Sequence, residues 1–583
     1  MGQTNVQATQ EDARAAVAAT VDAGENVGWN HFRTIALVTA VLSLYFCELL
    51  VIVGGGFLAP SIAAVIGGAE LSAWPSLAII LFTVALGGPI SQASDYWGRK
   101  WFLVIPNVGG IVGAIIAARA TTMGMYICGF CVGGIAFGSQ GLFLAIVSEV
   151  LPREYRSWSQ AAANGVNALG SIFSLSAGGY LIQSGPEGFR TYFYICASIY
   201  AAATLLVILL YNPVPRELQV VLTQREKLRA LDWTACALIT SGTVLFCLGL
   251  SWAQRPYAWH NVHVLAPLVI GGALLIGLAV YSWKFKKDGL FHHALFQDRN
   301  YIISLLALFI EGLSYMAAGL YFPAALSVVR AGKMSAYRQA LCYMVGFCSF
   351  GFFSFATGYY IYKAKTVRFT GILTFVAMLL FFMVMASVTA TTPEANFWGY
   401  INFFGVGIGL AFVTFVTSAQ FATPPELIAV ATGLLISVRS LGGSIGVAIF
   451  GAISASGYSN SVFSKVSAAV EPVGLTESAV AQLISALTAG DENMLKSISG
   501  VTPDVIAAAG MAMTEARVVG FRGVFICGGV FSVIGIVAAA FLRNPSAEFN
   551  AKIDAPVMLP DNDHFESKGI SELRIMSKDI NEG

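Results

Sequence analysis

The stretch ELLVIVGGGFLAP, residues 48–60, has a counterpart in EGLSYMAAGLYFP, residues 311–323. In the first, Glu48 precedes Gly56 by eight residues and Pro60 by twelve; in the second, Glu311 precedes Gly319 and Pro323 by the same intervals, an offset of 263 throughout. A second match lies elsewhere. Pro152, Glu154, Asn167 and Gly170 are answered by Pro424, Glu426, Arg439 and Gly442 at a constant offset of 272. Two similar offsets from separate places indicate a duplicated chain whose halves are parallel copies.

Both copies are apolar. Of 583 residues, 56% are hydrophobic and 11% charged, far below the usual quarter of charged residues in a soluble globule. A soluble enzyme is excluded on that ground. The balance of 33 Lys+Arg against 32 Asp+Glu gives no basic face for nucleic acid. Runs of roughly 20 apolar residues recur, each long enough to cross a bilayer. The fold class is all-α, a polytopic membrane protein of about fourteen spans.

The runs centre on 34–58, 74–94, 101–119, 124–148, 159–183 and 191–211, then 233–253 and 263–283, then 301–323, 339–362, 367–388, 397–420, 428–455 and 519–542. This predicts a tail over 1–32, a six-helix domain over 33–211, a linker with two inserted spans over 212–299, a second six-helix domain over 300–543, and a tail over 544–583. Arg99, Lys100, Arg153, Arg156, Arg216, Arg225, Lys227, Arg229, Lys284, Lys286, Lys287, Lys363, Lys365 and Arg368 fall in alternate loops. The positive-inside rule makes that side cytosolic, with both tails. The opposite loops hold fewer cations: Arg119, Arg190, Arg255, Arg330, Lys333 and Arg338. Segment 456–517 then faces outward, and its mixed Ala, Val, Ser and Glu predict surface helices.

Motifs of other chemistries fail on context. The nine cysteines lie in apolar runs, where a thiol acts as a small hydrophobe, so no metal is expected. Gly442-x-Ser444-x-Gly446 lacks the strand-turn-helix of a hydrolase elbow, and no phosphate loop occurs, so no nucleotide and no cofactor is implied. Glycines spaced by four, such as Gly405 and Gly409 or Gly442 and Gly446, suit close helix packing.

Between spans two and three the chain reads SQASDYWGRK, residues 91–100. This resembles the G-x-x-x-D-x-x-G-R-[RK] signature of the major facilitator superfamily, with Ser91 where that family has glycine. The resemblance implies that Asp95, Gly98, Arg99 and Lys100 form a conformational latch, and that helices two and eleven of the family's scheme approach less closely here. SEVLPREYR, residues 148–156, and ATGLLISVRSLGGSIG, residues 431–446, look like the fungal trichothecene efflux pump family, within the fourteen-helix drug:proton antiporter branch that also holds siderophore transporters. The antiporter motifs are incomplete: Phe130 and Gly133 stand near the expected arginine and glutamine of span four, and Ser174-Leu175 replaces the Gly-Pro of span five.

An ionised group at mid-membrane costs about 2.5–3.5 kcal/mol on insertion scales. Glu48 and Glu311 lie twelve residues, roughly 18 Å of helix, before their prolines, near the midplane. The repeat predicts that they face each other across the passage, as proton-binding or substrate-cation groups; the alternative is a hydrogen-bonded glutamate that fixes packing. Arg439 is predicted to pair with a carboxylate or to touch substrate. Gln140, Asn164, Asn167 and Asn402 are cavity candidates, or else interhelical hydrogen-bonders.

The resulting expectation is a secondary transporter of the cell membrane, with the vacuolar membrane as the other location, that exports a small hydrophobic toxin, secondary metabolite or drug against entering protons. A siderophore-iron importer is the alternative within the superfamily, and a non-transporting receptor or sensor is the alternative outside it.

Overall fold

The computed structural model describes residues 31–554 apart from 69–70, 73, 214–218, 220–221, 254–256, 258, 287–288, 472–474, 490–493, 496–497 and 499–500. Arg216, Arg255, Lys287 and most of both tails therefore lie outside the described residues.

The helices in chain order are α1 His31–Ile66, α2 Trp74–Trp97, α3 Arg99–Ala118, α4 Met123–Phe137, α5 Gln140–Glu149, α6 Arg156–Ser184 and α7 Gly188–Leu210. The linker carries α8 Gln224–Ala230, and the inserted pair is α9 Trp233–Trp252 and α10 Val262–Lys284. The second half is α11 Arg299–Val329, α12 Ala336–Ala364, α13 Arg368–Ala386, α14 Glu394–Phe421, α15 Ile428–Val470, α16 Glu477–Ala489 and α17 Pro503–Ala540. With α4 and α5 forming one bent span, fourteen helical segments are long and apolar enough to cross a membrane. No β-sheet occurs among the described residues.

Each half buries its helices against one another, and the halves meet along two seams, α6 with α12 and α2 with α15. The inserted α9 packs on the second seam, where Thr240 Oγ1 donates to the Ala85 carbonyl at 3.0 Å. Ser91 lies in that seam. The expected loose approach is not what the structure has: glycine is supplied by the facing helix, so a Cβ on Gly433 would meet the Gly87 carbonyl at 2.8 Å and crowd Ser91 Oγ.

Segment 456–517 also departs from the expectation of separate surface helices. α15 runs unbroken for 43 residues and α17 for 38, because neither proline nor a glycine-rich turn interrupts 456–470 or 504–518. Their extensions and α16 enclose a small core of Val466, Val470, Leu483, Ala509 and Met513, separate from the membrane core.

At the end bearing the basic loops the halves are closed. Every residue of α5 from Gly141 to Glu149, of α14 from Gly407 to Phe421 and of α15 from Ile428 to Ser437 is buried. The chain after α17 crosses this end as a strap. Arg153 N donates to the Lys552 carbonyl at 2.9 Å and Glu154 N to the Asn550 carbonyl at 3.0 Å. Arg153 pairs with Glu548 at 2.6 Å and with Asp554 at 2.9 Å, and the buried Arg156 also pairs with Asp554. Phe549 packs its ring on Phe421. Arg153 and Arg156, counted above only as orienting charges, are thus structural.

Removing one partner of a buried ion pair costs about 3–5 kcal/mol. Asp554→Ala is expected to loosen this end. In a background without native cysteines, a thiol introduced at Ser157, beneath Gly358, should label at least tenfold faster in that variant than with Asp554 intact.

Candidate functional site

Asp95, Gly98 and Arg99 meet at the turn between α2 and α3, and Lys100 is bonded to the end of α7 instead. Gly98 sits between α2 and α3 with φ +97°, a backbone region that a side chain strains, and a Cβ there would also meet Gln219 at 3.2 Å. The turn brings Arg99 back onto Asp95 at 3.3 Å and onto Glu149 of α5, with Nη2 to Oε1 at 2.8 Å. Lys100 Nζ donates to the Ile208 carbonyl at 2.7 Å and to Asn212 Oδ1 at 2.6 Å. These bonds hold α2, α3, α5 and the end of α7 as one block. In the linker, partial burial lowers the ammonium pKa of Lys227, whose Nζ donates to the Gln219 carbonyl at 2.8 Å.

Deeper in the closed end a polar cluster crosses between the halves. Ser148 Oγ donates to Gln420 Oε1 at 2.7 Å, Gln160 Nε2 donates to Ser148 Oγ at 2.6 Å, and Gln420 Nε2 reaches the Leu144 carbonyl at 3.3 Å. Arg156 Nη1 donates to the Gln420 carbonyl at 2.9 Å. Sequence reasoning missed Gln420, Gln160, Glu149 and Asp554. One signal was available: Ser148 and Gln420 lie 272 residues apart, the repeat offset, so they stand at equivalent places in the two halves.

Above this seal lies the charged pair. Arg439 is eleven residues into α15 and Glu311 twelve into α11, roughly 16–18 Å from the closed end at 1.5 Å per residue. Arg439 Nε donates to Glu311 Oε2 at 2.5 Å and Nη2 to Oε1 at 3.0 Å. The glutamate is fully enclosed, whereas the arginine side chain is 22% accessible. Tyr315 and Phe412 place their ring centroids 4.9 and 5.0 Å from the guanidinium carbon. The helices reach this packing because Gly312 and Gly442 have no side chain: a Cβ on either would strike the backbone of the facing helix.

The two repeat glutamates do not form the facing pair that the duplication predicts. Glu48 is 0% exposed, and among the described residues neither carboxyl oxygen has a hydrogen-bond partner. It makes no ion pair with Arg439, because Asn167 occupies the arginine's place in the first repeat, and Asn167 Nδ2 donates instead to Tyr45 Oη at 2.9 Å. Glu48 lies close enough to Cys47, Tyr200 and Tyr45 to act on them electrostatically. Tyr200 Oη and the neighbouring Thr204 Oγ1 are likewise buried without partners.

The remaining amides divide. Asn164 is buried with both amide atoms unpartnered, one turn from Gln160 in the seal. Asn402 is engaged inside the second half, accepting from Ser349 Oγ at 2.5 Å and donating to the Trp398 carbonyl at 2.7 Å, so it acts as a helix tie. Gln140 is half-buried at the start of α5.

Two six-helix halves with an inserted helix pair, fourteen apolar segments in all, define a transporter of the major facilitator superfamily. Residues 5–560 match the model of the fungal trichothecene efflux pump family, and the chain belongs to that family. The trichothecene efflux pump TRI12 of Fusarium sporotrichioides is 22% identical over 463 residues, covering 78% of this chain and 77% of that one. The efflux pump FUS6 of Gibberella fujikuroi is 24% identical over 521 residues, 87% and 89% of the two chains. Among solved structures the proton:xylose symporter XylE, bound to 6-bromo-6-deoxy-D-glucose, has the same fold, with TM-score 0.53 at 12% identity over 86% of this chain and 94% of its own. The fold and the relatives are those of transporters, not enzymes.

Glu311→Gln or Arg439→Gln alone leaves one uncompensated charge inside the protein, a loss of about 3–5 kcal/mol. The double substitution removes both charges. Each single variant is expected to lower the melting temperature in detergent, and the double variant to recover most of the loss; additive losses would contradict the coupling.

Proposed function

We propose that this chain exports a small hydrophobic organic compound, of the toxin or secondary-metabolite kind, across the fungal cell membrane in exchange for entering protons. The observation that carries the coupling is the asymmetry between the repeat glutamates. Glu311 is neutralised by a bidentate arginine, whereas Glu48 is enclosed with no partner for its charge. An uncompensated buried carboxylate costs several kcal/mol, so the site accommodates the neutral acid. The same side chain can ionise only when the halves rearrange and admit water or a cation. That is the property a proton carrier needs.

The basic loops support a cytosolic assignment of the closed end. The relatives named efflux pumps support export. With an inward-negative potential, one entering proton gains about 2.3 kcal/mol per 100 mV, enough for a roughly fifty-fold gradient of a neutral substrate.

The test uses purified full-length protein in liposomes, with efflux of a trichothecene driven by an imposed pH gradient. Glu48→Gln, which keeps the neutral form's shape, is expected to retain substrate exchange between equal concentrations and to lose gradient-driven accumulation at least tenfold. Undiminished accumulation by that variant sinks the coupling.

A further inference from the structure

The central pair is not a site for an organic cation, although two mid-membrane glutamates suggested one. Glu311 has no accessible surface, and both of its oxygens face the Nε and Nη2 edge of Arg439. A cation arriving from the passage would meet the guanidinium first. The pair is neutral in sum but not in direction, because the anion lies behind and the cation in front.

The front edge is available. Among the described residues Nη1 of Arg439 donates to no acceptor; the hydrogen bonds to Glu311 use Nε and Nη2. The ring contacts of Tyr315 and Phe412 hold the guanidinium close to aromatic surface, and Tyr315 is itself packed on Phe404 at 5.9 Å between centroids. From the other half, Tyr45 lies near enough to Arg439 to feel its charge. The burial pattern changes at this level: residues 428–437 of α15 are all buried, and 438–441 are all partly accessible. The guanidinium therefore stands where the fully buried seal ends, partly accessible, held from behind by Glu311 and flanked by rings.

We propose that Arg439 is a specificity-determining residue which receives a hydrogen-bond-acceptor oxygen of the cargo, so that the transporter takes flat apolar molecules bearing a carbonyl, ester or carboxylate and rejects organic cations. A guanidinium already engaged on one edge can still accept an oxygen at the other, and planar two-point geometry distinguishes arginine from a lysine point charge. The flanking rings favour a cargo with an apolar, preferably unsaturated, body. The inference rests on the reading of the chain as an exporter of small hydrophobic compounds, and it adds the polar group that such a compound must carry.

The experiment is equilibrium binding to the purified full-length protein in detergent, with no gradient, using coumarin as a neutral lactone, 1-naphthoate as a carboxylate and ethidium as a planar cation. Because no proton gradient enters, failure of proton coupling leaves the result unaffected. At least one of the two oxygen-bearing probes is expected to bind, with ethidium at least tenfold weaker, and the stronger of coumarin and naphthoate shows which acceptor the site prefers. The Arg439→Gln/Glu311→Gln double variant, which leaves no unpaired charge to unfold the protein, should lose about ten- to hundredfold of that affinity, the size of a charge-assisted hydrogen bond. Arg439→Lys should fail to restore it fully, and Phe412→Leu should weaken it without removing the preference against ethidium. Unchanged affinity in a folded double variant overturns the proposal. So does ethidium binding as tightly as the better oxygen-bearing probe, or binding of neither coumarin nor naphthoate up to millimolar concentration.

Discussion

A charge inside a membrane protein has to be answered, and in this chain the two halves answer it differently. Glu311 meets Arg439 in a side-on, two-bond pair, and the cost of carrying both groups to mid-membrane is offset by that contact and by the rings beside it. Glu48, at the equivalent place, has no hydrogen-bonding or charged partner among the described residues. The difference comes from one position in each half, Arg439 in the second and Asn167 in the first. A single divergence after duplication thus converts one glutamate into half of a fixed ion pair and leaves the other as a group stable only when neutral.

The closed end depends on the same need for compensation, met with amides, hydroxyls and backbone instead of charges. Gln420 reaches across to Ser148 and to the Leu144 carbonyl, and Arg156 reaches back to the Gln420 carbonyl. The neutral bonds of Gln420 contribute about 0.5–1.5 kcal/mol each, and the charge-assisted bond from Arg156 about 1.5–3 kcal/mol. The strap adds buried ion pairs at Arg153 and Arg156, which are harder to break. The latch, by contrast, ties Arg99 to Asp95 and Glu149 within one half, so it can keep that half rigid while the seal opens.

Much of this was legible in the sequence for identifiable reasons. Helical spans follow from hydropathy, because a bilayer demands about 20 apolar residues and a closed backbone hydrogen-bond pattern. The duplication followed from spacing, and the turn that brings Arg99 onto Asp95 from the Asp95, Gly98 and Arg99 constellation. What escaped was whatever depends on pairing across the chain. Arg156 looks like any loop cation until Asp554, 398 residues away, is brought beside it. Glu48 and Glu311 look alike along the chain, and only the side chain opposite each one separates them. The outward extension of α15 was missed because its polar residues argue against a span, whereas nothing in 456–470 argues against a helix.

The asymmetry also explains why the two polar centres can serve different ends without competing. If both glutamates faced the passage, a bound cargo and a bound proton would contend for the same acceptor, and a cationic cargo would be favoured over a neutral one. With Glu311 masked by Arg439, the surface offered to the proposed cargo is a donor, and the proposed proton site at Glu48 is a separate, fully buried carboxyl. Communication between them then has to pass through the packing of the halves. Tyr45 is the residue placed to carry it: three positions before Glu48 on α1, it accepts from Asn167 on α6 and lies within electrostatic reach of Arg439. A cargo at the proposed guanidinium site would thus sit beside a residue that also feels Glu48, one helical turn further along α1.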